Sequence, residues 1–219
     1  MCGRYTLQSP ADLLRELFET EDIPELKPRY NIAPTQDVAC IVGDGGERAF
    51  ANLRWGLIPF FAKDASIGQK MINARAETVA EKPSFRAAFK RRRCLVLADG
   101  FYEWKAMPDG KQPFHIARPK GQPFVFAGLY EIWKHGGGEP VRSCTIITTA
   151  ANATLRALHD RMPVILEGAD LDLWLDPGIQ SLDSLAPLLS SVDDDYLSYR
   201  PVSRRVGNVR NDDVSLLEE

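Results

Sequence analysis

The sequence predicts an α+β protein: a single domain whose mostly antiparallel, barrel-like β core is flanked by short helices. Three observations support this fold class. Apolar runs of strand length are numerous and separated by Gly and Pro turns, helical spacing is confined to a few short segments, and strands do not alternate regularly with helices. With 219 residues, 44% of them hydrophobic, the chain can fill one core. We therefore predict one domain over residues 1–219, with a less certain tail after about residue 211.

The predicted strands are apolar runs bounded by turn residues, at residues 4–7, 37–42, 48–53, 94–98, 114–117, 124–130, 143–149, 164–166 and 196–202. The predicted helices begin at a capping residue or repeat apolar residues at helical spacing, at residues 10–18, 84–89, 151–159, 171–175 and 185–189. Ser9 is the expected N-cap of the first helix, Ser84 of the second and Asn152 of the third.

Three segments between these elements are predicted to be loops. Residues 29–35 are polar and bounded by proline, and the glycine run 136–138 is typical of a hairpin tip. Residues 55–61 are dense in aromatic side chains but interrupted by Gly56 and Pro59, which favours a surface loop over a buried element.

The composition excludes several classes of protein. No basic N-terminal region precedes an apolar run, and no segment approaches about 18 consecutive apolar residues, so we expect neither a secreted nor a membrane protein. The cysteines at positions 2, 40, 94 and 144 lie far apart and form no C-x-x-C pair, so no disulfide, metal site or cofactor is predicted. The net charge of −3 gives no general attraction to nucleic acid, so phosphate contacts need a locally basic face.

The most distinctive chemistry lies in residues 1–5. Removal of Met1 would leave Cys2 with a free α-amine and a thiol on adjacent carbons. Near neutral pH the amine, with a reference pKa of about 7.7–8.0, is substantially neutral, and the thiol, at about 8.5, is partly ionised. An aldehyde can form an imine with this nitrogen and then a thiazolidine ring with the sulfur, whereas an amide or ester would transfer its acyl group to sulfur. Alternatively, Cys2 is an ordinary small apolar residue beside the start codon.

Glu103 and His159 are candidates for proton transfer. Glu103 has aromatic neighbours on both sides, so burial can raise the pKa of its carboxyl; the alternative is a strand glutamate that faces water. His159 lies between a predicted helix and a strand, close enough to Arg161 for that charge to shift its titration. His115 lies inside a predicted strand and His135 beside the glycine run.

Polar side chains at alternate positions suggest a shared face. If residues 73–77 are extended, Asn73, Arg75 and Glu77 point the same way, and Asn73 can hold an oxyanion or orient the amine of Cys2. The cationic run 90–93 follows a predicted helix, which favours a solvated helix end, with phosphate contact as the alternative.

Seven motifs follow one another along the chain: MCGRY at 1–5, YNIAPT at 30–35, WGLIP at 55–59, NARAET at 73–78, RCLVLADGFYEW at 93–104, TIITT at 145–149 and HDRMP at 159–163. Together they resemble the successive motifs of the SOS-response-associated peptidase (SRAP) family. The resemblance implies that the chain also has the fold of that family. The resemblance runs from residue 1 to the region of Asn211 and is weakest at residues 181–195.

This resemblance implies a protein that seals abasic sites in single-stranded DNA by a covalent DNA-protein crosslink. The ring-opened abasic sugar is an aldehyde, so Cys2 would form a thiazolidine with it once Met1 is removed, autocatalytically or by an aminopeptidase. Asn73 would orient Cys2, and His159 would help to open the sugar ring. Glu103 would shuttle protons, assist release of Met1 and help to reverse the crosslink.

The resemblance also implies a set of DNA contacts. Arginines would hold the flanking phosphates, Pro34 and Trp55 would stack on or wedge against bases, and threonine backbones would add contacts. The full set of expected DNA-binding residues is Arg4, Pro34, Trp55, Arg75, Thr148, Thr149 and Arg161. The expected partner is abasic single-stranded DNA, including single-strand/double-strand junctions, bound by a monomer without cofactor or metal. The expected location is cytoplasmic if the source is bacterial and nuclear if it is eukaryotic.

Two alternatives belong to other functional classes. An N-terminal-nucleophile amidohydrolase or peptidase would also begin Met-Cys-Gly, but the later glutaminase motifs of that group are not found, and the aromatic segments suit bases better than a small amide. A noncovalent single-strand binder would make Cys2 incidental.

Overall fold

The computed structural model describes residues 2–134 and 138–218, which contain thirteen strands and four α-helices. The strands are β1 Tyr5–Leu7, β2 Arg29–Ile32, β3 Asp37–Asp44, β4 Glu47–Trp55, β5 Asn73–Arg75, β6 Arg93–Ala98, β7 Gly100–Met107, β8 Gly110–Ala117, β9 Phe124–Trp133, β10 Val141–Ala150, β11 Arg161–Pro163, β12 Ile165–Leu166 and β13 Ser198–Pro201. The helices are α1 Ala11–Phe18, α2 Arg86–Arg91, α3 Asp170–Leu175 and α4 Leu182–Leu185.

Five strands close into a ring. Strand β3 pairs with β4 and β6, β6 with β9, β9 with β10, and β10 with β4. Only the β10–β4 contact in this ring is parallel, and β5 adds a second parallel pairing to β10. A closed ring leaves no free edge between its members, so these short strands protect one another from pairing with other chains. The predicted fold class, an α+β protein with a mostly antiparallel barrel-like core, is confirmed.

The ring interior is filled by one face of each strand. Cross-strand partners point to the same side of a sheet, and Cys40 is opposite Ala51 and Val96, while Cys144 is opposite Trp55. All five of these side chains are buried. The prediction that the three later cysteines are core residues is confirmed, since each is buried and unbridged: Cys40, Cys94 and Cys144.

A second sheet, in the order β13-β8-β7-β1-β2, is antiparallel throughout. In β1, Tyr5 is opposite Phe101 of β7, and its ring packs edge-on against Trp55 at 5.4 Å and Phe126 at 5.8 Å. These contacts join the N-terminal strand to the aromatic side chains of the ring. The first residues of the chain are therefore fixed by both sheets.

The C-terminal segment covers part of the second sheet. Val206 and Leu216 form a small apolar cluster with Tyr102 of β7. Asn31 of β2 donates from Nδ2 to three main-chain carbonyls of this segment, and its own N–H donates to Asp212 Oδ1 at 2.9 Å. Residues beyond 211 thus make specific contacts. The extent of the domain, 1–219 with a less certain tail, stays a prediction.

The aromatic segment 55–61 is only partly a surface loop. Trp55 is 0% exposed because it ends β4 on the face that lines the ring, and Leu57 and Ile58 are buried with it. Phe60 and Phe61 are exposed by 56% and 51%. The prediction is therefore wrong for the first half of the segment. The predicted loop 29–35 is also wrong in part, because its first four residues form β2.

Three helix predictions were too simple. Ser9 does not cap α1; its hydroxyl donates to Asp99 Oδ1 at 2.6 Å, and the cap residue is Pro10. Ser84 does not cap α2 either, since that helix begins after Phe85 without a side-chain cap. The expected helix 151–159 is reduced to a 3₁₀ turn, Leu155–Ala157.

The Asn152 cap is confirmed in part, since Asn152 Oδ1 accepts from Leu155 N at 3.0 Å before that turn. The hairpin predicted from the glycine run 136–138 is present as the β9–β10 pairing, which extends to Trp133 and Val141. Residues 135–137, including His135 and most of the predicted tip, lie outside the described residues. Among those described, no helix is long and apolar enough to cross a membrane.

His115 lies in a buried pocket of the second sheet. Its Nε2 is 3.3 Å from Thr6 Oγ1, and its ring packs on Tyr102 with centroids 5.1 Å apart. A side chain at Gly100 would clash with this ring, so the glycine permits the close approach. Burial, and then the charge of Arg200, lowers the pKa of His115 to about 4.

His115 should make the protein sensitive to acid. Its folded pKa of about 4 is below the reference value of 6.5, so the unfolded chain binds the extra proton and stability is lost as pH falls between these values. The contribution approaches about 1.4 kcal/mol per pH unit. We expect the free energy of unfolding of the His115→Gln variant, measured by urea denaturation, to fall less steeply from pH 6.5 to 4 than that of the wild type. Equal slopes would contradict this assignment.

Candidate active site

Cys2 is held at the start of β1 by the pairing of β1 with β7. Tyr102 N donates to Arg4 O at 3.0 Å, which extends this pairing toward the N-terminus. Cys2 is 0% exposed, and the backbone N–H of Arg4 donates to its sulfur. Burial raises the pKa of the Cys2 thiol well above its usual range, and the negative charge of nearby Glu103 raises it further.

The sequence alone suggested an accessible Cys2 thiol with an ordinary pKa, and the structure differs on both points. The thiol is not an exposed group with an ordinary pKa; in the conformation observed it is enclosed and protonated at neutral pH. Its sulfur nevertheless lies near enough to the Glu103 carboxylate for that charge to act on it. The arrangement therefore supplies a nucleophile together with a base that can take its proton.

Glu103 is buried, as the desolvated alternative required. It lies on β7 next to Tyr102, which is fully buried, and it is only 5% exposed. A carboxyl enclosed in this way is a suitable group for moving protons between reacting atoms. The alternative of a water-facing glutamate is wrong.

Asn73 lies at the start of β5, in register with Ile146 of β10. Its Nδ2 is 3.5 Å from Ile146 O. Its Oδ1 is buried and accepts no hydrogen bond from any residue in the ranges 2–134 and 138–218. A buried acceptor without a partner costs about 1–3 kcal/mol, so this oxygen is suited to receive an N–H from a bound group.

His159 sits just before β11 and is partly exposed. Its Nδ1 accepts from Arg161 N at 2.9 Å and lies 2.8 Å from Asp160 Oδ1. A neutral ring that accepts at Nδ1 carries its proton on Nε2, whereas the charged ring would donate from Nδ1 to Asp160. In either arrangement, the ring of His159 carries a proton that it can donate.

The three expected DNA-binding arginines differ in their partners. Arg4 is half-buried and donates from Nη1 to Asn31 Oδ1 at 3.1 Å and to Val206 O at 2.9 Å. Arg75 is exposed and makes no side-chain hydrogen bond or ion pair within the described part of the chain. Arg4 is therefore held by protein contacts, whereas the side chain of Arg75 is open to solvent.

Arg161, by contrast, is already occupied. Its two terminal nitrogens bind both carboxylate oxygens of Glu77, the second at 2.9 Å, and Nη2 also donates to Thr148 O at 2.6 Å. The hydrogen bonds from Arg161 hold the pKa of Glu77 below its usual range. Glu77 reaches Arg161 because β5 ends at Arg75 and a 3₁₀ turn follows. The expectation of one shared face for residues 73, 75 and 77 is therefore wrong at Glu77.

Four other expected DNA contacts can be located. Pro34 is half-buried at the turn after β2, next to Thr35, whose φ of 72° is unusual for a β-branched residue. Thr148 and Thr149 are buried in β10. Trp55 points into the ring and donates from Nε1 to Ile72 O at 2.9 Å. Its ring face is therefore not presented to a ligand in this structure.

The sequence analysis placed Phe60 and Phe61 in a surface loop but did not include them among the DNA-binding residues. Their rings meet edge to face with centroids 5.2 Å apart, a few residues beyond the end of β4. The signal that could have identified them is Pro59, since it stops the strand and separates the buried half of the segment from the exposed half.

The described contacts place the candidate residues in two groups. Cys2 and Glu103 form one, and Asn73 lies in the other with Arg75, Thr148, Arg161 and His159 along the C-terminal half of β10. Tyr5 and Trp55 join the groups, because the tryptophan contacts Tyr5 and hydrogen-bonds the residue before Asn73. Among the described residues, no cluster of His, Cys, Asp and Glu could hold a metal ion.

A family model described as SOS response associated peptidase (SRAP) matches residues 1–209. The chain belongs to the SRAP family. The abasic site processing protein YoqW of Bacillus subtilis (strain 168) is 46% identical over 222 residues, covering 100% of this chain and 99% of that protein. The abasic site processing protein HMCES of Xenopus tropicalis is 36% identical over 256 residues, covering 96% and 76%.

Solved structures of similar proteins agree with the fold. A crystal structure of a protein from Bacteroides thetaiotaomicron has a TM-score of 0.85 at 26% identity and covers 99% of this SRAP chain and 98% of its own. A phage-related protein from Bordetella bronchiseptica has a TM-score of 0.74 at 29% identity, covering 93% and 95%. The resemblance inferred from the seven motifs is confirmed.

Replacing Arg161 should destabilise the protein more than replacing Arg75. Arg161→Ala removes the donor to the Thr148 carbonyl and the partner of Glu77, so we expect a loss of about 1–3 kcal/mol in the free energy of unfolding. Arg75→Ala removes no side-chain hydrogen bond or ion pair within residues 2–134 and 138–218, so it should stay within about 0.5 kcal/mol of the wild type. Urea denaturation of both variants tests this, and a loss for Arg161→Ala no larger than the loss for Arg75→Ala would contradict the prediction.

Proposed function

We propose that this protein recognises abasic sites in single-stranded DNA, including sites at single-strand/double-strand junctions, and seals them through a thiazolidine on Cys2. The observation that carries the proposal is a buried cysteine directly after Met1, with its thiol within the electrostatic influence of the buried carboxylate of Glu103. The names of the relatives, abasic site processing proteins, support the substrate. The protein would act as a monomer without a cofactor.

The chemistry requires a free N-terminal amine. Hydrolysis of the Met1–Cys2 peptide bond consumes one water and exposes the nitrogen. This amine adds to C1′ of the ring-opened sugar and loses water to give an imine. The sulfur then adds to the same carbon, its proton passes to the nitrogen, and a five-membered ring closes. Crosslinking itself releases one water, and it needs no oxidant or reductant.

Glu103 would move the protons in this sequence. Because burial keeps the thiol of Cys2 protonated, sulfur attack needs a base, and the adjacent carboxylate can take that proton and return it to nitrogen. During imine formation the carboxylate would first take a proton from the attacking amine, and the resulting carboxylic acid would give that proton to the leaving hydroxyl. It would also assist the hydrolysis that releases Met1 and the reversal of the crosslink.

Asn73 and His159 would prepare the two reactants. The unpartnered Oδ1 of Asn73 would accept an N–H of the freed amine and fix its lone pair toward the sugar. His159, in the form that accepts from Arg161 N, carries its proton on Nε2 and would deliver it to the ring oxygen as the sugar opens. Arg161 would then act as a positioning residue through its main chain.

The DNA would be held through phosphates and unstacked bases. Arg4, fixed by Asn31, and the open Arg75 would bind flanking phosphates, since guanidinium groups match phosphate oxygens. Pro34 would support a neighbouring base. Phe60 and Phe61 offer the exposed aromatic faces that Trp55 lacks, and stacking on them is independent of sequence.

Cys2→Ala should abolish the stable crosslink but not the imine. Its alanine still provides an N-terminal amine after Met1 is removed, so borohydride should trap it on abasic single-stranded DNA. Denaturing gels with and without borohydride measure this, and intact mass confirms the processed terminus. A wild-type protein that forms no shifted band would contradict the proposal, and glutamine turnover instead would favour an amidohydrolase.

Glu103→Gln should slow crosslink formation or reversal by about 10²–10⁴-fold, the usual contribution of a general acid-base group. Removing the negative charge should also lower the pKa of the Cys2 thiol, because that charge raises it in the wild type. Rates come from timed gels and the thiol titration from NMR of ¹³C-labelled cysteine. Glu16→Gln, on the exposed face of α1, is the matched control. Unchanged rates and titration would remove Glu103 from the mechanism.

A further inference from the structure

The structure divides the cationic run 90–93 into two residues that bind other parts of the protein and two that are open to solvent. Arg93 is 3% exposed and donates to main-chain carbonyls, including Phe89 O at 2.7 Å. Arg92 pairs with Glu131 at 2.6 Å. Lys90 and Arg91 are exposed at the end of α2, and their side chains bind no residue in the described ranges. Only these two are therefore free to meet a ligand.

A groove of about 500 Å³ runs beside these two cations. Phe60 and Ile132 form its apolar part, and Lys90 and Arg91 line it from α2. The one carboxylate lining it, Glu131, is neutralised by Arg92. An exposed aromatic side chain beside unpaired cations suits a flexible polyanion that carries flat bases.

The groove is close to the candidate active site. The loop that carries Phe60 is fixed to the strands at both ends, since Ile58 N donates to Ser143 Oγ at 2.8 Å and Trp133 Nε1 donates to Ala62 O at 2.7 Å. Ser143 lies three residues before Ile146, the partner of Asn73, which is about 10 Å along β10. DNA held at the site would therefore have to extend about 10 Å along β10 to reach the groove.

We propose that this groove carries the single strand on one side of the abasic site, with Lys90 and Arg91 binding its phosphates. The inference rests on the proposed function and deepens it, because it makes the footprint longer than the lesion and asymmetric about it. Affinity should then depend on how far the DNA extends on that side. Capture of the lesion itself should not depend on these two residues.

The test uses the Lys90→Gln/Arg91→Gln double variant and a charge-matched control, Lys111→Gln/Lys120→Gln, which changes exposed lysines at the two ends of β8. The ligands carry a tetrahydrofuran abasic analogue, which has no aldehyde. One is a trinucleotide, and two others extend it on the 5′ or the 3′ side only. Fluorescence anisotropy over a salt series gives Kd and its salt dependence, and crosslinking of a true abasic trinucleotide is measured in parallel.

We expect the double variant to bind one of the two extended ligands about tenfold more weakly at low salt, with a log–log salt slope smaller by about 1.4, or about 0.7 for each lost phosphate. The trinucleotide, the other extended ligand and the crosslinking rate should be unchanged, and the control variant should match the wild type. Equal losses on every ligand, or none on either extended ligand, would overturn the inference. Failure of the proposed function would show separately, as a wild type that forms no crosslink.

Discussion

The pairing of β1 with β7 is the constraint on which the rest of the structure depends. It places the start of the chain beside Glu103, and Tyr5 anchors it by packing against Trp55 and Phe126. Chain termini are usually poorly ordered unless a sheet ties them down. Here β1 begins three residues after Cys2 and is buried inside the protein, so Cys2 has a defined position. A slip of one residue in this pairing would reverse the face on which each side chain lies.

Burial of Cys2 protects its thiol and would also affect the order in which its amine and its thiol react. The thiolate is the form that oxidants and alkylating agents attack, so a raised pKa makes this sulfur inert in the enclosed state. In the proposed reaction, the same shift would leave the freed nitrogen as the better first nucleophile. A carboxylate that disfavours the thiolate by its charge and accepts the proton when sulfur attacks would link the two steps.

The fold class and most strands could be predicted from the sequence, because they depend on local pattern. The roles of the candidate site residues rest on motifs and stay predictions. Partners far apart in sequence could not be predicted. Ser9 was expected to cap the first helix, but its hydroxyl binds Asp99, 90 positions away. The pairing of Arg161 with Glu77, 84 positions away, has no signal in the local sequence either.

The direction of Trp55 posed a similar problem. It depends on how five strands close into a ring, which no local pattern reveals, and ring closure turns this side chain inward. The exposed aromatic pair that follows is set by the same event. The orientation of these aromatic side chains therefore depends on long-range closure and could not be predicted from the local sequence.

Asn31 connects the two ends of the chain. Its Nδ2 binds carbonyls of Val206, Asn208 and Asn211, and its Oδ1 receives Arg4, which also donates to Val206 O. The matched family region stops at residue 209, inside this brace. A chain shortened there would keep the bond from Arg4 to Val206 O but would lose the Asn211 carbonyl and the Asp212 carboxylate, which both bind Asn31.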